Sequence, residues 1–116
     1  MARAFSGSEP ESALRAYLVL IGRAADRQIV TYGQLSQQIK RGGPNLLAQP
    51  LNLLTDWCQA HGLPTLTSIV VEQATGLPAP GFGSVTRSEI PNEQLKVWDF
   101  DWFAIHPPTT EELAGR

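Results

Sequence analysis

Cys58 is the one side chain here that can act as a thiolate, and His61 and His106 are the only imidazoles. A thiolate nucleophile needs a neighbouring base or cation to lower its pKa, and a tetrahedral metal site needs three or four nitrogen and sulfur ligands. One cysteine and two histidines do not make such a set, so neither a metal nor another cofactor is expected. Cys58 falls in helical register with Leu51 and Leu54, which predicts an inert thiol packed in the core. His61 precedes a Gly-Leu-Pro stop, where an imidazolium suits the carbonyl end of a helix. With no nucleophile set beside a base, the sequence predicts a domain without catalytic machinery.

The remaining polar chemistry is that of recognition. Asn52, Thr55 and Gln59 recur along one stretch and have the amide and hydroxyl groups that read base edges, whereas Asp56 among them would repel phosphate. Lys40 and Arg41 stand together just before a Gly-Gly pair and are the expected phosphate contacts. A second candidate surface is the loop Gln73 to Gly83, which has no lysine or arginine to enter a groove or hold phosphate. Its Leu77, Pro78 and Pro80, with Phe82, suit an apolar protein contact instead. Trp57, Trp98, Phe100, Trp102 and Phe103 add a heavy aromatic load, divided between core and interface anchors.

These residues must be held by elements that local signals mark out. Ser8-Glu9-Pro10-Glu11 is a capping-box pattern, and Leu14, Leu18, Ile21 and Ala25 follow at helical spacing, predicting a first helix over 9–25 with those four as its apolar stripe. Thr31-Tyr32-Gly33-Gln34 is a second box, flanked by Val30 and Leu35 as a hydrophobic staple. It predicts a helix that buries Leu35 and Ile39 and stops at Gly42-Gly43, with Lys40 and Arg41 in its last turn. Pro50 is tolerated only near a helix start, so a third helix begins there and ends at His61-Gly62. Leu66 to Glu72, rich in β-branched residues, predicts a strand. Leu95, Trp98 and Trp102 fit helical spacing, while Trp98, Phe100 and Trp102 alternate with Asp99 and Asp101 as in a strand; the helix is favoured, from about Asn92 and running out into an extended stretch from Phe103 to Pro108.

Length and composition bound the reading. A chain of 116 residues, 42% hydrophobic and 17% charged, is one domain with a real core rather than a disordered segment. The expected division is an amino-terminal arm over 1–8, one domain over 9–105, and a loosely ordered tail over 106–116. The net charge of −2 is the wrong sign for a domain that binds mainly by neutralising phosphates. Its distribution is uneven: residues 1–41 hold six cations against three carboxylates, and residues 88–116 hold six carboxylates against two cations. The polar start does not read as a signal peptide, the apolar run Ala16 to Ile21 is too short to span a bilayer, and the lone cysteine fits a reducing compartment. A cytoplasmic protein with no membrane partner is therefore expected.

Three helices, a strand, a glycine-rich turn and a further strand follow the order of a winged helix-turn-helix. Ile29-Val30-Thr31-Tyr32-Gly33-Gln34-Leu35, then Gly43-Pro44-Asn45, a helix, a Leu-Pro turn, Ile69-Val70-Val71 and Gly81-Phe82 resemble the winged-helix domain of the O6-alkylguanine DNA alkyltransferases and alkyltransferase-like proteins. The resemblance covers roughly residues 11–100. It implies an α+β fold of three helices, a small β-hairpin wing and a carboxy-terminal helix. It also implies that Tyr32 contacts the backbone phosphate of a flipped nucleotide. Two departures decide the chemistry. Where those enzymes carry Pro-Cys-His-Arg, this chain has Leu66-Thr67-Ser68-Ile69, and a threonine hydroxyl without a base cannot replace a thiolate as alkyl acceptor. The family's intercalating arginine would fall near Ala48 or Gln49 and is missing too, although alkyltransferase-like proteins keep it.

The expected function is therefore a non-catalytic winged-helix module that binds nucleic acid, DNA foremost, through Tyr32, Lys40, Arg41, Asn52 and Gln59. The alternative is a protein-interaction module that uses Leu77, Pro78, Pro80, Phe82 and the carboxy-terminal aromatics.

Overall fold

The structure, a computed structural model, describes residues 9–40, 47–78 and 87–115. Helix α1, Glu9–Ala25, is the element around which the others assemble: the four later helices and the 3-10 turn over Leu66–Ile69 all pack on it. Glu9 and Glu11 in its first turn and Arg23 in its last complement the helix dipole. Ser8, expected as its N-cap, lies outside the described residues. The helix spans the predicted residues but turns a different face inward. Ile21 of the predicted stripe is buried, together with Ala13, Ala16, Tyr17, Leu20 and Ala24, while Leu14 is half-buried against the core, Leu18 is 53% exposed and Ala25 is exposed. Alanines at three inner positions let the surrounding elements come close, an advantage that a count of large apolar residues does not register. The helix ends in a Schellman motif, with Arg27 N–H donating to Ala24 O at 3.0 Å and Gln28 N–H to Arg23 O at 2.9 Å. Arg27 takes the left-handed conformation that glycine usually supplies, at φ 55°.

The chain then forms β1, Val30–Thr31, and α2, Tyr32–Ile39. Thr31 Oγ1 accepts from Gln34 N and Gln34 Oε1 accepts from Thr31 N, both at 3.1 Å, which completes the predicted capping box. Val30, Leu35 and Ile39 are buried as that motif requires. The helix stops earlier than expected. Lys40 is not in its last turn but caps it in the left-handed region, φ 59° and ψ 45°; Arg41, Gly42 and Gly43 lie outside the described residues.

Helix α3, Ala48–Ala60, starts two residues before Pro50, which keeps the proline in the first turn, where its missing N–H costs no hydrogen bond. The predicted strand from Leu66 to Glu72 is corrected in two ways. Leu66–Ile69 is a 3-10 turn, closed by Ser68 N–H donating to Thr65 O at 2.9 Å, and only Val70–Val71 is extended, as β2. All of Leu66, Thr67, Ser68 and Ile69 are buried, which a strand with one solvent face does not allow. Second, the expected hairpin is replaced by parallel pairing, with Val30 opposite Val70 and Thr31 opposite Val71. After β2 the chain reverses in a turn in which Glu72 N–H donates to Leu77 O and Gly76 N–H to Glu72 O, both at 2.8 Å, with Gly76 at φ +70°. Residues 79–86, the rest of the expected wing, lie outside the described part.

Helix α4, Ile90–Asp99, begins two residues before the predicted Asn92 and is pinned to the 3-10 turn from two positions. Glu93 Oε2 accepts from Thr65 N at 2.7 Å, and Gln94 Nε2 donates to Ser68 O at 2.9 Å. Trp102 opens a 3-10 turn over Trp102–Ala104 and is buried, its Nε1 donating to Val97 O at 2.8 Å. The stretch from His106 carries a third capping box, Thr109 with Glu112, and a short helix α5, Thr110–Leu113. Leu113 is 2% exposed and belongs to the core beside α1 and α3. Five helices with a two-stranded parallel sheet make the described fold helix-dominated α+β. Among the described residues no helix is long and apolar enough to cross a membrane.

Candidate nucleic-acid interface

Helix α3 has two chemically distinct faces. Pro50, Leu51, Leu54, Thr55, Trp57 and Cys58 are buried, and Gln49, Asn52, Asp56 and Gln59 are exposed. The spacing of the exposed four, three then four then three, aligns them along one side of the helix. This side carries two of the expected base-reading residues, Asn52 and Gln59, adds Gln49, and keeps Asp56 in its middle. Thr55 is not on it. Its Oγ1 lies 2.6 Å from Thr67 Oγ1, so the two hydroxyls satisfy each other inside the core. Thr67 is itself buried, so neither hydroxyl of the pair reaches solvent.

The other predicted contacts are distributed more widely. Tyr32 is the first residue of α2, half-buried and packed against the core rather than projecting from it. Lys40 is exposed at the end of that helix, and Arg41 lies outside the described residues. Of the apolar contacts expected for a protein partner, Leu77 is half-buried, and Pro78 is buried and so cannot form a surface anchor; Pro80 and Phe82 fall outside the described residues.

Cys58 is fully buried, and burial pushes its thiol up to about 11, away from any nucleophilic role near neutral pH. His61, three residues on, donates from Nδ1 to Trp57 O at 2.9 Å and leans on the Trp57 ring at 5.0 Å, so it caps the helix and does not turn to the thiol. Among the described residues no group of three or more histidines, cysteines and carboxylates converges on a common point. Under α3, the Trp57 ring meets Tyr17 edge-on at 5.7 Å. Tyr17 OH, Trp57 Nε1 and Ser68 Oγ are buried without a hydrogen-bond partner among the described residues. Burial, with a smaller push from Cys58, raises the Tyr17 phenol above its ordinary value.

One surface cluster gave no sequence signal. Arg27 Nη1 meets Asp99 Oδ1 at 2.9 Å, its guanidinium lies 5.8 Å from the Trp98 ring centre, and Trp98 Nε1 donates to Gln28 O at 3.1 Å. Groups some seventy residues apart leave no local pattern to read. The cluster fastens the end of α1 to α4 and occupies one of the cations of the basic amino-terminal half. Lys96 is held near Glu93 at 3.8 Å in the same way.

Comparison with protein-family models, with curated proteins and with solved structures found no match to this chain.

Proposed function

We propose that the protein is a non-catalytic nucleic-acid-binding module of winged-helix type, with DNA as its ligand and α3 as the reading helix. The observation that carries this reading is the division of α3, apolar and buried on one side, with the exposed amides Gln49, Asn52 and Gln59 on the other. Amide side chains in a row on an exposed helix are suited to the donor and acceptor pairs of base edges. The resemblance around Thr31-Tyr32-Gly33 supports the same mode of docking, with the exposed Lys40 as a cation for phosphate. Thr67 in place of a nucleophilic cysteine supports the absence of alkyl transfer. Asp56 and the acidic second half of the chain predict weak binding that fades early as salt rises.

The test is fluorescence anisotropy with labelled duplex and single-stranded DNA over a salt series. The expected result is measurable binding at low salt that weakens when Asn52 and Gln59 are replaced by alanine, with Lys40→Ala lowering the salt slope by about one unit. No binding at low salt would overturn the reading. A stoichiometric methyl adduct after incubation with O6-methylguanine DNA would overturn its non-catalytic part.

A second reading, a protein-interaction module, is favoured by one observation: Phe103 is 67% exposed and Leu95 45%, a large apolar display for a small domain. Under this reading Phe103→Asp abolishes partner capture and leaves DNA binding untouched.

A further inference from the structure

We infer that α3 selects adenine over guanine through the major groove of duplex DNA; this rests on the reading just proposed. The first nine residues of the helix expose Gln49, Asn52 and Asp56 along one side. From Gln49 to Asp56 the helix rises about 10 Å, roughly three base-pair steps, so a single docked helix can bring all three to neighbouring pairs. No lysine or arginine occurs anywhere from Ala48 to Ala60. The reading side therefore consists of amides and a carboxylate, with no cation among them.

That composition sets the base preference. Guanine shows the major groove two acceptors, N7 and O6, and the side chains that meet both are the cationic donors arginine and lysine. Adenine shows N7 beside the N6 amino group, an acceptor next to a donor. The amide of Gln49 or Asn52 matches that pair with its N–H and its carbonyl, whereas against guanine the carbonyl faces O6, a second acceptor. Asp56 acts in the same direction. A carboxylate only accepts, so it suits the amino groups of adenine N6 and cytosine N4 and is repelled by guanine O6 and thymine O4. Duplex RNA does not offer these edges, because its deep, narrow major groove is closed to side chains.

The experiment compares three unlabelled duplexes of equal length and alternating sequence, built from A·T, G·C or inosine·cytosine pairs, as competitors for a labelled A·T duplex bound to the full chain at low salt. Hypoxanthine, the base of inosine, keeps the N7 and O6 of guanine and lacks its N2 amino group. An inosine·cytosine pair thus resembles G·C in the major groove and A·T in the minor groove. The A·T duplex is expected to compete at least about fivefold better than G·C, with inosine·cytosine behaving as G·C does. Gln49→Ala and Asn52→Ala, both at exposed positions, are each expected to narrow that ratio severalfold, whereas Lys40→Ala weakens all three duplexes alike. Equal competition by the three duplexes would overturn the inference and leave the proposed function standing. Inosine·cytosine competing as well as A·T would also overturn it, because the protein would then be reading the minor groove. Binding to no duplex at low salt would overturn the inference and the proposed function together.

Discussion

Thr31 and Thr109 make the same two hydrogen bonds, each hydroxyl accepting from the third residue of its helix and each backbone N–H reached by that residue's side chain. After Thr31 the helix continues for eight residues, and after Thr109 for four. The difference lies in what stands behind each box. Helix α2 has Leu35 and Ile39 in the core and β1, paired to β2, directly before it. Helix α5 has Leu113 alone. A cap thus fixes where a helix begins, and tertiary burial decides how far it runs and how firmly it stays.

The largest expected effect tests that support. Leu35→Ala removes a fully buried side chain at a position locked between sheet and core and is expected to cost about 2–5 kcal/mol in global stability by urea denaturation. Leu113→Ala is expected to cost less, because a four-residue helix can swing out and relax where the body cannot. Equal losses would show that α5 is as integral to the core as α2.

Next in size is a pH effect confined to the body. The Cys58 thiol is raised from 9.0 to about 11 in the folded protein by burial. Below pH 9 both states keep the proton and the group contributes no slope. Between about 9 and 11 the unfolded chain releases it while the native state holds it, so stability falls as pH rises, by up to about 1.4 kcal/mol per pH unit. The denaturation midpoint at pH 8 and pH 10.5 measures this, and Cys58→Ala should flatten its share of the slope. A slope unchanged by that substitution would show that the thiol does not titrate as its burial requires.

Replacing the two capping threonines with alanine separates the regions most directly. Thr31→Ala is expected to lower global stability by about 1 kcal/mol. Thr109→Ala should leave the global midpoint almost unmoved while amide exchange at Glu112 and Leu113 accelerates, since only a local opening is affected. The smallest effect concerns the orphaned hydroxyl beneath α3. Tyr17→Phe deletes a buried group with no partner among the described residues and is expected to be neutral or slightly stabilising; a loss beyond about 1 kcal/mol would reveal a partner for Tyr17 OH.

The signals that were legible in the sequence were local ones. Thr31 with Gln34, the span of α1 and the inner row of Leu51, Leu54 and Cys58 needed no knowledge of neighbours. Which face of α1 turns inward did, because Leu18 and Tyr17 compete for the core and the elements around the helix decide between them. Leu66–Ile69 has the composition of a strand, but the bond between Thr67 and Thr55 belongs to a compact turn, and no propensity contains that partner. The Thr109–Glu112 box has the same local pattern as the Thr31 box, and only the burial of Leu113 ties the short helix after it to the body. For the candidate site, Asn52 and Gln59 followed from helical spacing, whereas the burial of Thr55 and Pro78 and the tethering of Arg27 to Asp99 arise only from tertiary contacts.

The parallel pairing of Val30–Thr31 with Val70–Val71 also bears on how the chain reaches this arrangement. The two strands stand about 40 residues apart in sequence, so the chain must give up the freedom of a long loop before either pairing forms, and two-residue strands return few hydrogen bonds for it. Such a ladder is a poor nucleus. It is expected to close after α1 and α3 have met and brought its ends together. The sheet then acts late, as a latch on a helical assembly, and substitutions within it should act chiefly on the rate of unfolding and hardly on the rate of folding.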